Sequence, residues 1–258
     1  CIRDRVISTG IAGVVFITLF IIVELKVKQP MLDLRLFKEP VFRKMSLISL
    51  FSSAGLLGML FVFPLMYQNV IGVSALESGL TTFPEAIGLM ISSQIVPWSY
   101  KKLGARKVIS IGLICTAIIF ILLSFVNHDT NPWQIRVLLF GIGIFLGQSV
   151  GAVQFSAFNN ITPPSMGRAT TIFNVQNRLG SAIGVAVLAS ILAGFGNSSV
   201  QHNTHSDLLP YQAALIGSAI FLLVALLFSL RISDKEVMSK KKKKPLPVLQ
   251  KEKEIVNE

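Results

Sequence analysis

Seven stretches of about 20 or more mostly apolar residues, parted by short polar segments, run through the chain at 6–25, 42–67, 77–98, 106–126, 133–158, 168–195 and 211–232. At 1.5 Å rise per residue, about 20 such residues cross roughly 30 Å of hydrocarbon. A chain of 258 residues that is 52% hydrophobic cannot hide that apolar surface in one soluble core. Charged residues make up only 14%, against about 25% in soluble domains, and mean hydropathy is +0.66. These values exclude disorder, a collagen-like chain, a disulfide scaffold and an ordinary soluble enzyme. They predict an all-α, polytopic membrane protein. Its two cysteines, Cys1 and Cys115, make no disulfide framework. Cys1 in place of a start methionine predicts that the sequence begins within a longer gene.

Lysine and arginine alternate sharply between the connecting segments. The first carries Lys26, Lys28, Arg35, Lys38, Arg43 and Lys44; the third carries Lys101, Lys102, Arg106 and Lys107. The fifth has Arg168. The second, fourth and sixth have none, and nine basic residues follow from Arg231 onward. Basic loops stay cytoplasmic, which predicts a cytoplasmic C-terminus in a multi-pass protein of the cell membrane. Arg3 and Arg5, on the opposite side, run against the pattern. The net charge of +11 therefore points to a membrane surface with anionic lipids, not to nucleic acid. Residues 233–258, with the run Lys240–Lys244, read as a disordered polybasic tail.

Polarity is uneven among the spans. The fourth and seventh are almost wholly apolar and suit lipid-facing positions. The third, fifth and sixth carry Glu85 and Gln94; Gln148 and Gln154; and Asn174, Gln176, Asn177 and Arg178. Polar side chains at membrane depth normally face a bundle interior or a water-filled cavity. Glu85 lies about 12 Å into its span. With Ser78, Thr81 or Thr82, Gly88 and Ser92 it forms a polar, small-residue stripe at helical spacing. A carboxyl group in such a place either changes protonation and holds a cation, or bonds a neighbouring helix. Pro84 removes a backbone donor beside it.

Gly143, Gly147 and Gly151 recur every four residues, as do Gly180 and Gly184, which predicts close helix approach. Gln148 and Gln154 are six residues apart, so at most one of them lines a given cavity. Phe145, Phe155 and Phe158 offer aromatic surface to a cargo or to a neighbouring helix. Ser74-Ala75-Leu76-Glu77 fits a capping box. His128, His202 and His205 lack the partners of a metal site, and Asn197-Ser198-Ser199 is a bare glycosylation sequon. No nucleotide loop, nucleophile elbow or zinc motif is present, so neither cofactor nor metal nor catalysis is expected.

Three runs carry a resemblance. QPMLDLRLF at 29–37, PLMYQNVIGVSALESGL at 64–80, and Gly167-Arg168-Ala169 with Asn174 and RLGSAIGVA at 178–186 resemble signatures of the fourteen-helix drug:proton antiporters of EmrB/QacA type. These belong to the major facilitator superfamily. The resemblance implies one linker helix with a basic loop at 1–41 and a six-helix C-terminal transporter bundle at 42–232. The N-terminal bundle would belong to the same protein but lie outside this sequence. PWSYKKLGARK at 97–107 resembles the superfamily's cytoplasmic gating motif, and Gly104, Arg106 and Lys107 fit it. Pro97 and Lys101 replace the usual Gly and Asp.

The expected function is export of amphipathic compounds, cationic ones foremost, by proton antiport. Glu85 would exchange the proton. Thr81, Gln148, Gln154, Phe155 and Asn174 are the expected cavity residues; Arg178, Gly104 and Arg106 are expected in gating or structural roles. The alternatives are a facilitator or symporter of a metabolite or lipid on the same fold, and a membrane scaffold or sensor without flux.

Overall fold

The computed structural model describes residues 34–127, 130–159, 161, 163–196 and 208–232, with eight further positions between 12 and 23. The span expected at 6–25 lies outside the described residues except for those eight positions, each of them helical. The histidines at 128, 202 and 205, the sequon and the polybasic tail also lie outside them.

Among the described residues, six α-helices follow a 3-10 turn at Leu34–Lys38. They are α1 (Pro40–Asn69), α2 (Ala75–Leu103), α3 (Ala105–Ser124), α4 (Pro132–Phe158), α5 (Met166–Gly196) and α6 (Leu209–Leu230). Five of them are long and apolar enough to cross a membrane. The exception is α2, 29 residues long, whose Ser, Thr and Glu content lowers its hydropathy. The fold is an all-α bundle, as the apolar spans imply.

Local signals fix the helix ends. Pro40, Pro132 and Pro210 sit in first turns, where a missing N–H costs nothing. Ser74 caps α2 by accepting from the Glu77 backbone N–H at 3.2 Å. Asn131 caps α4 through the Trp133 N–H at 2.9 Å. Between α2 and α3 there is one residue, Gly104, with φ of 82°, in the left-handed region that glycine adopts without a steric penalty. The sequence reading ends this span at residue 98; the helix continues to Leu103. Lys101 and Lys102, read as loop, form its last turn, where cations offset the helix dipole.

Helix α1 lies at the centre, packed on α4, α5 and α6. Phe42, Met45, Ile48, Met59, Phe63 and Met66 are wholly buried there. Helices α3 and α6 pack on each other, α3 also on α4 and α6 also on α1. Both turn isoleucines and leucines outward: Ile111, Ile114 and Ile118 on α3, and Ile220, Leu223 and Leu227 on α6. That apolar surface suits lipid, as expected from their composition. The remaining two helices each lean on one main neighbour, α2 on α4 and α5 on α1. They keep wide exposed faces as a result.

Candidate functional site

Two glycine seams fasten α2 and α5 to the core. In the first, Gly143, Gly147 and Gly151 of α4 meet α2. A Cβ at Gly143 would lie 2.9 Å from the Gly88 Cα, one at Gly147 2.7 Å from the Ser92 Cβ, and one at Gly151 2.8 Å from Val96. In the second, Gly180 and Gly184 of α5 press on the backbone of Leu50 and Ala54 in α1. The four-residue glycine spacing therefore marks close approach in both places. Asn177 joins the second seam: its Oδ1 accepts from Ser49 Oγ and, at 3.0 Å, from Ser53 Oγ.

The buried residues of α2 are Ser78, Thr81, Glu85, Gly88, Ser92, Val96 and Ser99. This is the expected stripe, with Thr81 and not Thr82 in it. The Thr82 hydroxyl instead bonds back to the Ser78 and Gly79 carbonyls. Glu85 is 4% exposed, and neither carboxyl oxygen has a protein hydrogen-bond partner. The hydroxyls of Ser78, Thr81 and Ser92 are likewise buried without one. Leaving such groups unpaired costs about 1–3 kcal/mol each. On α4, Gln148 donates from Nε2 to the Ser92 carbonyl at 3.1 Å, while its Oε1 is unpaired. Arg136, the one charged residue of α4, sits over the Trp133 ring at 5.1 Å. Its Nε is buried and unpaired.

A cavity of about 770 Å³ opens beside this seam, toward the end where α2 meets α3. Its walls come mainly from α2 (Leu89, Ser93, Val96) and α4 (Val150, Gln154, Phe155, Phe158) with its C-cap Asn159, and from Leu56 of α1 and Met166 of α5. Cavities of roughly 300–1,000 Å³ hold drug-sized molecules. Phe155 is tilted against Tyr100, ring centres 6.2 Å apart. Phe158 stands edge-on to Phe173 at 5.3 Å.

Gln154 and Phe155 line this cavity. Thr81 and Gln148 lie in the α2–α4 seam instead, so only one of the two glutamines faces the cavity. Asn174 is exposed on α5 and is not part of the cavity wall. Arg178 is exposed as well, twelve residues beyond Met166 and so about 18 Å along α5. That is well inside the helix, not at its end. Arg106 lies exposed in the first turn of α3, beside Gly104. Glu85 is not in the cavity wall; Leu89, one turn further along α2, is. The sequence reading missed Ser93 and Asn159, which are the cavity's other polar groups. Asn159 follows the candidate Phe155 by four residues, which was the available signal for it; Ser93 had none.

The pattern of the Major Facilitator Superfamily matches residues 6–185. The multidrug transporter protein MdtP of Bacillus subtilis is 30% identical over 203 residues, 78% of this chain and 38% of its own length. An uncharacterized MFS-type transporter of the same bacterium, YhcA, is 29% identical over 187 residues, 72% of this chain and 35% of its own. The multidrug efflux pump LfrA of Mycolicibacterium smegmatis is 27% identical over 210 residues, 81% and 41%. The chain thus spans less than half the length of these relatives. Its match to that pattern over residues 6–185 and its five long apolar helices are those of a multi-pass membrane protein. With its six-helix bundle and this match, the chain belongs to the Major Facilitator Superfamily.

Proposed function

We propose that this chain is the C-terminal bundle of a drug exporter of the fourteen-helix antiporter type, driven by proton exchange at Glu85. The carrying observation is that carboxyl group, buried with both oxygens unpartnered, one helical turn from a drug-sized cavity. A proton bound there removes the cost of burying charge, and a cationic cargo nearby offsets it in another way. The two states compete, which is the core of antiport.

Two further features support the reading. Asn174 and Arg178 stand exposed on α5, too polar a face for lipid. The remainder of a longer protein, an N-terminal bundle, would cover that face and close the cavity's other wall. The bundles would rock about this joint and open the cavity to each side in turn. The basic ends of α2 and α3, where Lys102 lies 4.8 Å over the exposed Trp98 ring, would then sit at the anionic inner leaflet of the cell membrane. The domain division at 1–41, 42–232 and 233–258, with the tail in the cytoplasm, follows from the same reading.

A second reading has its own support. The cavity's described lining has no charged side chain, which suits a neutral solute carried by a facilitator on this fold. Accumulation of a fluorescent lipophilic cation in cells expressing the full-length gene separates the two. Antiport predicts low accumulation that rises when a protonophore is added, and that is already high in Glu85→Gln. Low accumulation unaffected by the protonophore and by Glu85→Gln would reject it.

A further inference from the structure

The unpaired oxygens of the α2–α4 seam fall into two groups, with a close contact between them. On one side lie the Ser78 and Thr81 hydroxyls and both Glu85 oxygens. On the other lie the Ser92 hydroxyl and Gln148 Oε1. Between them Gly88 and Gly143 touch. A Cβ on Gly88 would lie 3.0 Å from the Gly143 Cα and 2.5 Å from the Phe140 carbonyl oxygen. That contact leaves no room for water.

Buried polar atoms without protein partners are usually bonded to ordered water. Successive groups on the first side are about 4.5 Å and 6 Å apart along the helix axis. One water with two hydrogen bonds spans about 5.5 Å. Helical side chains also lean toward the N-terminus of their helix, so the Glu85 carboxyl is directed to the Thr81 turn and away from Gly88. Ser92, beyond the contact, abuts Gly147, which is part of the cavity wall.

We propose that Glu85 exchanges its proton only through the Ser78–Thr81 half of the seam, and that the Gly88–Gly143 contact is the seal between this proton and the cavity. The inference deepens the antiport reading and rests on it. Each bridging water or hydroxyl accepts a proton on its oxygen and passes another onward. The O–H bond finally formed is on a Glu85 oxygen, and the carboxylate becomes a neutral acid. Arg136 is the one charged group that α4 brings, seven residues from Gly143 toward the Ser78 end. The charges of α1 and α3, at Arg43, Lys44, Arg106 and Lys107, are at the opposite end, as are Lys101 and Lys102 of α2; Glu77 is exposed at the α2 cap.

The test is infrared spectroscopy of the full-length protein in lipid. The carboxylic-acid band of Glu85 is identified by its loss in Glu85→Gln, and its deuterium exchange is timed. Ser78→Ala and Thr81→Val should each slow exchange about tenfold, the loss of one hydrogen bond in the chain. Thr81→Ser should restore the rate and Ser92→Ala should leave it unchanged. Unaltered exchange in both hydroxyl-free variants would overturn the route, as would equal slowing in Ser92→Ala. The absence of any band lost in Glu85→Gln, wherever in pH the protein stays folded, would overturn it too. Proteoliposomes test the seal: Gly143→Ala should leak protons without cargo, and a folded, tight Gly143→Ala protein would reject it. If Glu85→Gln leaves cargo-driven proton flux intact, the antiport reading falls, while the exchange rates still decide the route.

Discussion

Gly143 of α4 and Gly88 of α2 meet backbone to backbone, so that a Cβ on Gly143 would lie 2.9 Å from the Gly88 Cα. This contact holds α2 close against α4 along the stripe in which Glu85 is buried. A larger residue at either position would spread the helices and change both the packing and the wetness of the seam.

Gly143→Ala and Gly180→Ala should each lower the stability of the full-length protein by about 1–3 kcal/mol, the usual cost of overpacking. Gly79→Ala, where a Cβ meets nothing within 4 Å, should be neutral or stabilising by up to about 1 kcal/mol. Thermal unfolding in detergent measures all three. Equal melting temperatures would deny that the glycines are there for close approach.

Ser74 closes the first turn of α2 through the Glu77 N–H. Ser74→Ala should cost about 1 kcal/mol and Ser74→Asp should restore most of it. The same unfolding assay reads both, and an unchanged Ser74→Ala would mean that the cap is redundant.

The α2 stripe was legible because helical periodicity is a local property: residues at i+3 and i+4 share a face whatever they pack against. The glycine repeats were legible for the same reason, since close approach requires small residues. Which face meets a cavity and which meets another helix depends on partners far away in the chain, and there local reading loses its grip. Gln148 and Gln154 look alike in sequence. Only the docking of α4 against α2 sends the first to the Ser92 carbonyl and the second into the cavity. Asn177 is similar: its value lies in Ser49 and Ser53, more than 120 residues earlier. The helical course of Lys101 and Lys102 was hidden because basic residues at a membrane boundary resemble a loop.

Phe155 and Gln148 give a paired test of the cavity's position. Phe155→Ala should weaken binding of an aromatic amphipathic compound about three- to tenfold in the full-length protein, the loss of one aromatic contact. Gln148→Ala should leave affinity within about twofold, because its side chain is committed to the seam. Fluorescence titration decides, and the reverse order would move the binding site into the seam.

Asn177→Ala should cost about 0.6–2 kcal/mol, since two serine hydroxyls lose their acceptor between α1 and α5. Adding Ser49→Ala and Ser53→Ala to it should cost little more, because the hydroxyls then have no acceptor left to lose. Additive losses in a double-mutant cycle would show that these groups act independently.

The most direct measurement is cargo-induced proton release in inside-out vesicles containing the full-length protein. A proton gradient is imposed, lipophilic cations are added, and wild type is compared with an equally inserted Glu85→Gln. Release in wild type that disappears in Glu85→Gln is the expected result. Equal release in both would contradict proton exchange at Glu85, and no release with any cation would contradict antiport itself.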